Sequence, residues 1–185
     1  MDEINKLRLF NQLKSINRIN SVSNRKESSA EHSWSCLILA DYFLSKFNLQ
    51  INRLKVYELL MYHDVVEIEA GDTPLGPELK LSGKKEKEDK AAKFLQKKLP
   101  KPLNDKFLGL FNEFEEQKTV EARFTKAIDA LDAIVHELSY KKDWQGWTEK
   151  FLVEKKLHLF EEFPEIKATF KTILKFMKKE KYLND

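Results

Sequence analysis

The chain has 185 residues, with 33 lysines and arginines against 30 aspartates and glutamates and a formal net charge of +3 at pH 7. The near-cancellation of signs argues against a global field that would draw in nucleic acid or a membrane surface. Five glycines and five prolines punctuate a sequence rich in Leu, Lys, Glu and Phe, which predicts an all-α, compact single-domain helical bundle over residues 1–185 with a substantial core.

Ile4, Leu7, Phe10 and Leu13 recur at helical spacing and predict a first helix near residues 3–15. Asn17 to Ser21 is poor helix material, so Arg18 sits just past a helix end, in a position to point inward. Ser28 followed three residues later by Glu31 has capping-box form and predicts a helix to about Phe47. His32 lies in its first turn, at the head of the stripe His32, Cys36, Leu39, Phe43, Phe47, and should face the interior. Cys36 is the sole cysteine; an intrachain disulfide is excluded and a buried, reduced thiol is expected. The charged start Met1 to Lys6 and the lack of long apolar runs lead to the expectation of a cytosolic, non-membrane protein.

A third helix is expected from after Asn52 to near Val66, followed by the strongly turn-forming stretch Gly71-Asp72-Thr73-Pro74-Leu75-Gly76-Pro77. Further helices are expected from Ser82 to Lys98, Asn104 to Glu116, Thr119 to Tyr140, Trp147 to Phe160 and Pro164 to Tyr182, with Lys141 to Gly146 too short to separate domains. In the Thr119 helix, Phe124, Ile128, Leu131, Val135 and Leu138 form one apolar stripe, and Asp129 projects from nearly the opposite side beside Ala122 and Ala133. Two readings of Asp129 stand equal: an exposed acid, or the polar contact of a helix buried on two sides.

The chemistry-bearing residues gather in three places: Glu31-His32, then His63-Asp64 with Glu67 one turn beyond, then Asp129. Two imidazoles and two carboxylates suit one divalent ion such as manganese, iron, cobalt, nickel or zinc, with positions left for water and substrate. Near such an ion, Glu67 has the position of a general base, Asp72 that of a proton donor to a departing alkoxide, and Arg18 that of a forked donor to nonbridging phosphate oxygens. Phosphate ester hydrolysis uses all of these parts. The bland readings are that Arg18 pairs with a surface acid, Asp72 caps a turn and Glu67 is a solvated helix acid. His136 and His158 lack such companions and read as structural or exposed; Trp34, Trp144 and Trp147 read as packing residues rather than a ligand cage.

The order His32, His63-Asp64, Asp129 resembles the HD-domain metal-dependent phosphohydrolases. The longer set, Asn17-Arg18, Arg25 to Ser33, Tyr62 to Glu67, Gly71 to Pro74 and Lys126 to Leu131, is similar to the small single-domain 5′-deoxynucleotidase branch. The resemblance implies an HD-type helical fold and one divalent metal (manganese, cobalt, iron, nickel, zinc or magnesium). It implies a usually homodimeric enzyme that hydrolyses deoxynucleoside 5′-monophosphates to nucleoside and inorganic phosphate. It places His32, His63, Asp64 and Asp129 as metal ligands, Glu67 and Asp72 as catalytic acids, and Arg18 near the phosphate. Bacterial members often carry tryptophan directly after that arginine, near the sugar; here the residue is Ile19, which opens the sugar preference. The competing expectations are a phosphohydrolase acting on a cyclic nucleotide, an alarmone or a nucleoside triphosphate, and a non-catalytic helical binding module.

Overall fold

The computed structural model describes residues 1–47, 49–77 and 83–184. Among the described residues the architecture is helical with one small hairpin. The first expected helix divides: α1 (Asp2–Arg8) passes into a 3-10 helix (Leu9–Ser15) that buries Leu13. The stretch expected only to be non-helical is a strand, β1 (Asn17–Val22), paired antiparallel with β2 (Arg25–Ser28). Ser23, at φ 53, occupies the left-handed region in the connecting turn. Strand alternation, unread in the sequence because the run is short and polar, turns Arg18 and Asn20 inward and leaves Ile19 51% exposed.

Helix α2 (Ser29–Lys46) starts on the expected capping box, with the Ser28 hydroxyl accepting from Glu31 N–H and the Glu31 carboxylate accepting from Ser28 N–H. Asn52 caps α3 (Arg53–Tyr62), which stops four residues short of the expected end. Tight turns through His63 to Val66 lead to α4 (Glu67–Ala70), so Glu67 reaches the His63-Asp64 pair through a 3-10-like turn, Glu67 N to Asp64 O at 2.9 Å, rather than along one continuous helix. Next come α5 (Lys84–Lys98), α6 (Leu103–Glu116), α7 (Val120–Glu137), a 3-10 turn (Lys141–Trp144), α8 (Glu149–Phe160) and α9 (Pro164–Lys179). The expected start, at Ser82, of the helix seen as α5 lies outside the described residues.

Two apolar clusters hold these elements. One joins Phe43 and Leu44 of α2 to Phe124, Ile128 and Leu131 of α7 and to Phe160 and Phe170 of α8 and α9. The other joins Leu59 and Tyr62 of α3 to Leu95 of α5 and to Phe107, Phe111 and Phe114 of α6. Helix α7 belongs to both, because Ala122 faces the second cluster while Phe124 and Ile128 face the first. The polar contact points of α7 are thereby held between packed layers; each fully buried Phe or Leu contributes about 1.5–3 kcal/mol.

The aromatic C-terminal half goes largely into the core, with Trp144, Phe160, Phe163 and Phe170 buried. Trp34, expected to pack, is instead 65% exposed and lies in register with Ile38 and Tyr42, both also exposed. The i, i+4, i+8 spacing makes an outward apolar stripe on α2 that its inward stripe conceals in the sequence. Cys36 is a buried free thiol, as expected. No described helix is long and apolar enough to cross a membrane.

Candidate metal centre and cavity

Packing of α2, the turn after α3, and α7 brings His32, His63, Asp64 and Asp129 together. His32, fully buried, directs Nδ1 at Asp132 Oδ2 (3.0 Å) and Nε2 at Asp129 Oδ1 (3.1 Å). His63 Nδ1 lies 2.8 Å from the Leu60 carbonyl, a contact that places the ring proton on Nδ1 and leaves Nε2 with its lone pair. That lone pair faces Asp64 Oδ1 at 3.2 Å and has no hydrogen-bond partner among the described residues. The two imidazole rings are 5.5 Å apart between centroids.

At His63, where burial disfavours a bridging proton, two acceptors facing each other inside the protein need another cation between them, whereas His32, its pKa raised, can donate to Asp129 when no metal is bound. The spacing fits: ligands bonded at about 2.1 Å and at right angles to each other are about 3.0 Å apart, close to both imidazole-carboxylate separations. Burial lowers the His63 pKa and so favours the neutral, ligating form. Burial opposes the charge of Asp129, yet Lys126 and the two imidazoles hold it well below the usual carboxylate range. The residues present therefore fit a divalent metal. Cys36 Sγ also stands within 4.8 Å of donor atoms of His32 and His63. Burial pushes that thiol up to about 12, so it is protonated and a poor ligand unless a metal displaces the proton.

Arg18 reaches from β1 into the same centre, with Nη1 3.4 Å from Asp64 Oδ2 and 3.8 Å from Asp72 Oδ1, and Nε 3.3 Å from Glu27 Oε2. Burial works against its charge, but Asp64, Asp129, Asp72 and Glu67 raise its pKa above the ordinary arginine value. Glu67 is buried and accepts from Ser29 Oγ at 2.5 Å; burial first, then the Asp64 charge, pushes it up to about 9. Asp72, brought in by the positive-φ turn at Gly71, is also raised by burial and interacts with Glu67. Ile19 is at the rim, with its carbonyl accepting from Lys26 Nζ. Of the two readings of Asp129, the structure shows the inward contact.

Several contributors escaped the sequence reading. Asp132 fixes His32, and Ser35 Oγ donates to it at 2.6 Å; its i+3 spacing from Asp129 was the available signal. Lys126 donates to Asp129 Oδ2 at 3.1 Å, again three residues away. Glu27, buried beside Arg18 and His136, lies in the Arg25 to Ser33 stretch that carries the resemblance, but no role was read for it. His136 is structural, with Nε2 2.8 Å from the Ser21 carbonyl oxygen. The centre opens into a cavity of about 900 Å³ lined by Arg18, Asp64, Glu67, Asp72 and Asp129 at one part and by residues of α7 and α8 beyond. That size matches a small-molecule pocket.

Residues 10–167 match the family described as HD domain. The chain belongs to that family. The HD domain here is similar to the predicted metal-dependent phosphohydrolase of Magnetospirillum magnetotacticum MS-1, with a TM-score of 0.86 and 29% identity, covering 100% of this chain and 95% of the other. It is 28% identical over 138 residues to the 5′-deoxynucleotidase HDDC2 of Homo sapiens, and 35% identical over 137 residues to the 5′-deoxynucleotidase of Citrobacter koseri. Those matches cover 73% and 67% of this chain and 66% of each relative, so the chain spans about two thirds of their length.

Proposed function

We propose that this HD domain is a metal-dependent phosphomonoesterase that hydrolyses nucleoside 5′-monophosphates, deoxynucleotides among them, to nucleoside and inorganic phosphate. The observation that carries the reading is the facing of two buried imidazole nitrogens against two carboxylates, with the Arg18 guanidinium beside them at the mouth of a nucleotide-sized cavity. Similarity to proteins named 5′-deoxynucleotidase supports the substrate class.

His32, His63, Asp64 and Asp129 are the proposed ligands. A divalent ion held there supplies positive charge against a phosphoryl oxygen and lowers the pKa of water. Arg18 neutralises the nonbridging oxygens of the phosphate, and its acidic neighbours keep the fork oriented. Ser29 fixes one oxygen of Glu67, and the carboxylate, which also meets Asp72, is the proposed base for the attacking water. Positive charge at the cluster favours the Glu67 carboxylate, which then takes the proton of that water as its oxygen bonds to phosphorus. Asp72, whose burial favours the protonated carboxyl, gives its proton to the departing 5′-oxygen.

The test is phosphate release from a panel pairing each base with ribose and deoxyribose 5′-monophosphates, in manganese or cobalt. Release of free phosphate from monophosphates is expected. Exclusive release of pyrophosphate, or opening of a cyclic nucleotide alone, would replace this reading by another phosphohydrolase activity. The exposed Trp34, Ile38 and Tyr42 stripe supports a homodimer formed through α2.

A further inference from the structure

Helix α7 carries a second polar point on the wall of the same cavity. Glu137 lies eight residues beyond Asp129, about 12 Å along the helix axis, and Ala133 stands between them with only a methyl group to fill the space. That separation is comparable with the length of a nucleoside monophosphate from phosphorus to the far edge of its base. Glu137 is 7% exposed, and its Oε1 has no hydrogen-bond partner among the described residues. The acid beside it, Asp143, accepts from Ser21 N–H at 3.1 Å and also lines the cavity. A buried carboxylate oxygen without a donor costs free energy unless something supplies an N–H or O–H.

The surroundings narrow what that donor is. Trp144, anchored by its Nε1 to the Glu137 carbonyl at 2.9 Å, meets Trp147 edge to face at 5.3 Å between centroids. Both line the cavity together with Ile134 and Leu152, so apolar side chains share its wall with the Glu137 and Asp143 carboxyls. Asn20, two residues along β1 from Arg18 and on the same inward face, interacts with the Glu137 carboxyl, which burial and then the neighbouring Asp143 push up to about 7, so that a base offering N–H donors favours its ionised form. Resting on the reading of this cavity as a nucleotide site, the geometry points to Glu137 as the residue that recognises the nucleobase, with guanine the preferred base. Adenine, cytosine and thymine mix donors and acceptors along the Watson–Crick edge. Guanine alone presents two adjacent donors, N1–H and the 2-amino group, to a carboxylate.

The experiment measures dissociation constants of deoxyguanosine, deoxyinosine and 2′-deoxynebularine for the full chain by titration calorimetry, with phosphate release from the corresponding monophosphates run in parallel. Deoxyguanosine is expected to bind about tenfold more tightly than deoxynebularine, which has no donor on that edge, with deoxyinosine between them. Glu137→Gln is expected to shrink the ratio to about twofold, because one acceptor is replaced by an amide donor facing the base. Equal affinity of the wild-type chain for the three nucleosides, or absence of saturable binding, overturns the assignment without use of a variant. An undiminished guanine preference in folded Glu137→Gln overturns it too. Base discrimination that persists when no monophosphate releases phosphate upholds the subsite and removes the phosphatase reading. Hydrolysis with no base discrimination does the reverse.

Discussion

Replacing Glu67 by glutamine should stabilise the metal-free protein while removing most of its hydrolytic rate. The wild-type carboxyl goes from 4.5 to about 9 on folding, through burial and then the charge of Asp64. An acid with a raised folded pKa holds more protons folded than unfolded between those values, so its effect is to make stability fall as pH rises from about 4.5 to about 9. At pH 7.5 three pH units of that window have been crossed, a ceiling of about 4 kcal/mol. Part of the repulsion is shared with Asp72, which leaves a gain of about 2–4 kcal/mol for the neutral isostere. For a chain of this length that is roughly 5–15 °C in Tm.

Thermal unfolding of both proteins in chelator from pH 5 to 8.5 reads this out. The variant's advantage should be small at pH 5 and widen steadily, and saturating manganese should narrow it by compensating the carboxylate charge. A difference that stays constant with pH, or a variant that loses stability as pH rises, would refute the reasoning about Glu67.

Asp64→Ala should abolish metal uptake and turnover together, measured by elemental analysis of the isolated protein and by phosphate release. Asp132→Asn leaves the four proposed ligands in place but weakens the orientation of His32, so metal affinity is expected to fall about 10–100-fold in a competition titration. Trp34→Glu puts a charge in the exposed α2 stripe and should shift the proposed dimer toward monomer by light scattering, with the helical circular dichroism unchanged.

The helix periods and the Ser28 capping box were legible because each is a short-range pattern, while the order of His32, His63-Asp64 and Asp129 was legible through its resemblance to the HD-domain motif. A cap or an amphipathic repeat is set by residues three or four apart. The sequence therefore determined by itself a predominantly helical fold and the residues proposed as metal ligands. Tertiary structure alone decided that Asp129 faces inward, since its own helix leaves the side opposite the main stripe free to meet water or His32. Packing of α7 between two apolar clusters settles that choice. The same layers position Asp132 against His32, place Glu137 in the cavity and turn Arg18 inward from a strand. These contacts join residues far apart in the chain, and long-range closure leaves no periodic trace in the sequence between them.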